Sequence, residues 1–164
     1  MAVFALTSCY VGVGTAWTGT APGGTTTPAG TITTPTDISA MCTSVELSFE
    51  SDELDFTSFA SGGYRQKITG LATGNINLTI NQDFAASQGD ALFGIGGTVG
   101  WAPGQSTPYY IDVRPTSAAR GATNPSYVAA WVSTTYQPVT GGIGELAVIT
   151  LSLPLTGRVA RLIA

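Results

Sequence analysis

Two stretches of the chain alternate apolar and polar residues without a break. In residues 44–50, Val45, Leu47 and Phe49 fall on one face and Glu46, Ser48 and Glu50 on the other. In residues 74–81, Ile76, Leu78 and Ile80 oppose Asn75, Asn77, Thr79 and Asn81. A period of two marks a strand with one face buried. Two such strands so close together predict one sheet with an apolar and a polar face. Between them, residues 51–63 read as a long polar connection ending in Gly62-Gly63, and residues 64–71 as a returning strand. The hairpin tip is too long for a tight turn, and long connections without structure of their own are usually functional. Asp52, Glu53, Asp55, Thr57, Phe59, Gly62 and Gly63 are the candidate contact residues of this tip.

The rest of the pattern is also β-rich. Residues 3–10, 108–114 and 126–137 read as strands, as does 145–153, which Pro154 is expected to end. In 126–137, Val128, Ala130 and Val132 share one side and Tyr127, Ala129 and Trp131 the other. Residues 157–163 form either a last strand or a terminal arm. Asp83 is placed to cap a helix running from Phe84 toward Leu92-Phe93, stopped by Gly94, Gly96 and Gly97. Many short strands and one helix predict a mainly β fold, a β-sandwich or partial barrel with one flanking α-helix.

Residues 12–36 break the pattern. Ten of these 25 residues are Thr, three are Pro, and none is charged. With no apolar period the segment cannot build a core alone. It is expected to be an extended arm, which divides the chain into residues 1–35, a short strand plus arm, and 36–164, the β-sandwich domain.

Composition sharpens this reading. The 164 residues suit one domain. Only 10% are charged, with a single lysine, Lys67, against roughly a quarter in ordinary soluble domains. A surface so poor in charge fits either a protein that buries its outside against copies of itself or a secreted Thr/Ser/Gly-rich β-protein. The net charge of −4 and the absence of a Lys/Arg cluster argue against DNA binding through phosphates. Leu6-Thr7-Ser8-Cys9 resembles a lipoprotein cleavage box, but no basic residue precedes it. No apolar run approaches the ~20 residues of a membrane span.

Candidate chemistry is sparse. The chain has no histidine, which removes the commonest general base and metal ligand. Glu46, Glu50, Asp52, Glu53 and Asp55 form an acidic cluster, but Ser51-Asp52-Glu53-Leu54-Asp55 lacks the glycine-turned loop of a calcium site. Arg65 and Lys67 stand ready to pair with these acids across the hairpin. Gly94-Ile95-Gly96-Gly97 follows the expected helix instead of opening one, unlike a phosphate loop. Cys9 and Cys42 either form one disulfide or stay reduced and buried, the second being expected of a protein assembled in the cytoplasm. Trp17, Trp101 and Trp131 read as core or interface anchors. No enzyme, cofactor or metal is expected.

Several segments resemble the tail tube (major tail) proteins of long-tailed phages. They are Thr57–Leu71, Ile80-Asn81-Gln82-Asp83-Phe84-Ala85-Ala86, Val113–Ala119, Asn124-Pro125-Ser126-Tyr127, and the closing Pro138-Val139, Gly144-Glu145-Leu146 and Gly157-Arg158-Val159-Ala160-Arg161. The downstream ones resemble the siphophage type found in actinobacterial phages, and together they cover residues 36–164. Residues 12–36 have no counterpart in that pattern. The resemblance implies a structural subunit of the virion, assembled in the host cytoplasm. Six copies would close a ring whose sheets join as an inner β-barrel, and rings would stack head to tail through hairpins and arms. The partners implied are the chain itself, a tape measure, and tail terminator and tip proteins, with DNA passing unbound and no membrane involved. On that reading Glu46, Ser48, Glu50, Asn75, Asn77, Thr79 and Asn81 are candidates to face the lumen. A head decoration protein and a secreted adhesin or pilus subunit are the alternatives.

Overall fold

The computed structural model of the protein describes residues 8–86 and 88–163. Among them are the strands β1 (Tyr10–Gly14), β2 (Trp17–Thr20), β3 (Ala29–Ile32), β4 (Thr36–Asp37), β5 (Cys42–Asp55), β6 (Lys67–Asn81), β7 (Tyr109–Arg114), β8 (Ser126–Trp131) and β9 (Val148–Leu162), and the helix α1 (Gly89–Phe93). Seven strands follow one hydrogen-bonded order, β4-β1-β7-β8-β9-β6-β5, and every neighbouring pair is antiparallel. Most of the strand expected over residues 3–10 lies outside the described residues.

β9 turns this order into a sandwich. Its first half, Val148–Pro154, pairs with β6, and its second half, Leu155–Leu162, pairs with β8. The two halves of the sheet therefore fold over one core. Ile76, Leu78 and Ile80 meet Ile149, Leu151 and Leu153 within one half, and both sets pack with Val11, Val13, Ile111, Val113 and Trp131 of the other. Burying each such side chain stabilises the fold by about 1.5–3 kcal/mol. Pro154 does not end the strand. It sits where β9 exchanges partners, and its carbonyl accepts the N–H of Val132 at 3.2 Å. Residues 157–162 thus continue the same strand.

Residues 12–36 fold onto their own subunit, unlike the extended arm expected of them. Gly12–Gly14 belong to β1, inside the sheet between β4 and β7. β2 and β3 form a separate two-stranded hairpin. This hairpin and its loop cover the outer face of β7 and β8. Trp17 packs on Tyr110, ring centres 5.7 Å apart, and Pro22, Pro28 and Ile32 are buried. Val128, Ala129, Ala130 and Trp131 are consequently all buried, so β8 is covered on both faces, where one-sided burial would expose every second residue.

The helix is shorter than the sequence pattern suggests. Asp83 spends its carboxylate on the Ala85 N–H (2.8 Å), a local turn that competes with helix formation. The helix starts only at Gly89 and closes when Gly94 N–H reaches Asp90 O at 2.8 Å.

Candidate assembly surfaces

The first surface is a polar wall. On β5 and β6, Val45, Leu47, Ile76, Leu78 and Ile80 point into the core, so the polar alternates share the outer face. Register places Glu46 opposite Asn77, Ser48 opposite Asn75 and Glu50 opposite Thr73. β9 extends the wall, with Ser152 opposite Asn77 and Thr150 opposite Thr79. The side chains join one another: Asn75 Nδ2 donates to Asn77 Oδ1 (2.7 Å) and Ser152 Oγ (2.8 Å), and Asn77 Nδ2 to Glu46 Oε2 (3.3 Å). All the residues singled out in these two strands (Glu46, Ser48, Glu50, Asn75, Asn77, Thr79 and Asn81) thus lie on one face. No Lys or Arg occupies any of these positions.

The second surface is a ribbon. β6 pairs with β9 only from Asn75 onward, so the outer parts of β5 and β6 pair with each other alone. Asp52, Glu53 and Asp55 are strand residues here, correcting the expected loop over 51–63. Asp55 faces Lys67 in register, and a shift between Ser51 and Glu53 marks a bulge at Gly70-Leu71. Lys67 pairs with Glu53, one of the cross-hairpin pairings expected of it. The tip spans residues 56–66. Asp55 Oδ1 accepts the N–H (2.8 Å) and hydroxyl (2.5 Å) of Thr57, and both hold its carboxyl below the usual carboxylate range. Thr57 Oγ1 in turn accepts the Gln66 N–H at 3.0 Å. Phe59 opens a 3-10 turn, and Gly62 and Gly63 take left-handed φ values of 60° and 84° that let the chain return.

Sequence reasoning missed how apolar this ribbon is. Phe49, Leu54, Phe56, Phe59, Tyr64, Ile68 and Leu71 are all at least half exposed, Phe59 completely. The signal was present as Leu54 and Phe56 inside a stretch read as polar. Contiguous exposed apolar groups on a charge-poor protein mark an interaction surface.

The buried ionic cluster was also missed. Asp112, almost fully buried, accepts the Ser126 hydroxyl at 2.5 Å and faces Arg114 Nε at 3.3 Å and Arg120 Nη2 at 3.8 Å. Arg114 also lies over the Tyr10 ring, 3.9 Å from its centre, and Arg120 donates to Gly30 O at 2.9 Å. The cluster therefore ties the β2–β3 hairpin to the sheet.

Both cysteines are free and line one cavity of about 490 Å³. Burial pushes the Cys42 thiol up to about 12, helped by Cys9 and Asp37, and also raises Cys9. Trp131 is core, packed against the tilted rings of Phe93 and Tyr109, while Trp101 is half-buried and donates to Thr134 O at 3.2 Å. Among the described residues no group of three or more His, Cys, Asp or Glu side chains could hold a metal ion, and no helix is long and apolar enough to cross a membrane.

Neither a protein-family model nor a curated protein sequence matches the chain. Solved structures do match. A chain from the virion of a native gene transfer agent particle is 17% identical, with a TM-score of 0.54 over 77% of this chain and 88% of that one. A chain from the tail of an empty gene transfer agent particle with C6 symmetry has the same identity and TM-score, over 77% and 85%. A chain from the sheath/tube terminator structure of an extracellular contractile injection system, PVC, in its extended state, is 14% identical, with a TM-score of 0.65 over 98% and 97%. The fold is thus one that this chain shares with chains of virion, tail and contractile injection assemblies.

Proposed function

We propose that the protein is a structural, non-enzymatic subunit of a phage-type tail tube, in which hexameric rings stack head to tail into a conduit for genome delivery. The polar wall carries this reading. A sheet face of carboxylates, amides and hydroxyls with no base suits a channel through which DNA must pass unbound, because each Lys or Arg on a phosphate adds salt-sensitive affinity. Ring closure would join the walls of neighbouring copies into an inner barrel and remove the exposed edge of β5. The C6 symmetry of the structurally similar gene transfer agent tail supports six copies. Tape measure, terminator and tip proteins are the further partners, and the finished tail lies in the virion after assembly in the host cytoplasm.

The near-complete overlap with a chain from a sheath/tube terminator structure supports a second reading, a ring that closes the end of a tube. Electron microscopy of the purified protein separates the two. A tube subunit forms rods of stacked rings, and a terminator forms single rings. A strictly monomeric protein at high concentration would refute both and return the choice to a head decoration protein or a secreted subunit.

A further inference from the structure

We propose that Cys9 and Cys42 are a covalent modification site, at which a small disulfide or peroxide oxidises the two thiols to one intramolecular disulfide that ties the halves of the sandwich together. The bond needs only one subunit, so it is independent of how copies assemble.

The fold brings both thiols to one place from distant parts of the sequence. Cys9 lies two residues before Val11, a core residue of β1, and itself packs against the core. Cys42 opens β5 opposite Ile80, another core residue, and packs against the same core. β1 belongs to one half of the sandwich and β5 to the other. The turn that leads from β4 into β5 joins them. Ile38 N–H donates to Val11 O (2.9 Å), Val11 N–H to Ser39 Oγ (2.9 Å), and Cys42 N–H to Ile38 O (3.2 Å). Both sulfurs line one cavity together with Ser39 and Ala40 of this turn. Cys9 also contributes to the upward push on the Cys42 thiol, as a neighbouring group does.

The cavity is suited to thiol exchange. No charged side chain lines it, and its lining residues Ser8, Thr43, Ser44 and Ser117 are exposed, so small oxidants can enter. The Cys9 thiol donates to Arg114 O at 3.1 Å. A thiol is a weak donor, so giving up this contact costs little. With a small disulfide, one thiolate attacks and releases the first small thiol. The second thiolate then attacks the mixed disulfide and releases the other. Two S–H bonds are lost, one S–S bond forms, and two protons and two electrons leave on the two small thiols. Hydrogen peroxide takes up the same protons and electrons and leaves as two waters. Burial raises both thiols above their usual range. Only the thiolate attacks, so the step is slow at neutral pH and quickens about tenfold per pH unit below those values. A reducing cytoplasm keeps such a pair as thiols and an oxidising exterior joins it, so the bond marks protein that has left the cell.

Folded, fully reduced protein incubated with oxidised glutathione at mildly alkaline pH tests this. Both free thiols should disappear together, the mass should fall by two hydrogens, and the chain should run as a monomer on a non-reducing denaturing gel. The unfolding midpoint should rise by roughly 5–15 °C, because the bond closes the loop from Cys9 to Cys42 in the unfolded chain. Dithiothreitol should reverse all of these changes. Cys9→Ser and Cys42→Ser should each show no such rise and carry at most one glutathione. Stable glutathione adducts on the wild type, links between copies, or thiols that persist in the folded protein while the denatured chain oxidises would each overturn the pairing. A bond that forms but lowers the midpoint would overturn its role as a tie.

Discussion

The hairpin of residues 17–32 and the ribbon of residues 50–73 both leave the main sheet, yet one lies flat on its own subunit and the other projects. The difference lies in what each offers its surroundings. The first has no charge and is built of Thr, Gly and Pro. It can approach β8 and β9 closely because glycine sits at the contact: a Cβ on Gly157 of β9, in a left-handed conformation at φ 67°, would run into the Gly23 backbone. Arg120 then fastens it through Gly30 and Asp112. The second carries four acids and a series of large apolar groups. Among the described residues, these apolar groups stay at least half exposed. A segment that folds back finds its partners within the chain, while a segment that projects leaves its large apolar groups exposed.

Removing the ribbon should break the comparison most sharply. Joining Glu50 to Thr73 through Asn-Gly, at the register where the two face each other, discards residues that are nearly all exposed. The expected result is complete loss of rings and rods with an unfolding midpoint close to wild type. Normal rods from that variant would refute the assignment of the ribbon to assembly. For the covering hairpin the expectation is reversed. Asp112→Ala leaves Arg114 and Arg120 without their carboxylate and should destabilise the subunit by about 3 kcal/mol, since removing one partner of a buried ion pair strands the other. Denaturant titration reads this directly. Gly157→Ala should act less strongly, by roughly 1–3 kcal/mol for a strained backbone. It should also open residues 17–32 to protease while the ribbon is cut as in wild type. Equal cutting of the hairpin in both proteins would show that Gly23 and Gly157 do not govern its docking.

The same contrast explains what the sequence revealed. The alternation at 44–50 and 74–81 was legible because one face meets a core and the other water. Residues 51–55 were not, because a ribbon solvated on both sides has no buried face to impose a period. The fold of residues 12–36 was hidden for a different reason: its partners are backbone and small side chains such as Ala130, Thr156 and Gly157, all far away in sequence. Pro154 misled because its missing N–H is harmless where a strand changes partners. Seven polar residues of β5 and β6 on the candidate wall were recognisable from their alternation, whereas Ser152 and Thr150 join it only through the pairing of β9 with β6.

The smallest effect on folding, and the sharpest on function, is expected at the wall. Glu46→Lys with Glu50→Lys changes two exposed positions and removes one 3.3 Å contact, from Asn77. Substitutions of this kind usually stay within about 0.5 kcal/mol of wild-type stability. The ribbon's own lysine does not neutralise these acids, because Lys67 is engaged by Glu53. If the wall lines the channel, twelve new positive charges per hexameric ring would face DNA, and the effect would repeat with every stacked ring. Intact particles should then eject DNA more slowly, and added salt should relieve the defect, because counterions displace phosphate contacts steeply. The ribbon truncation cannot give this phenotype, since it blocks assembly before ejection is possible. Well-formed tails that eject normally, with both substituted side chains on the outer wall, would move the polar face to solvent and leave the projecting ribbon as the main support for the tube reading.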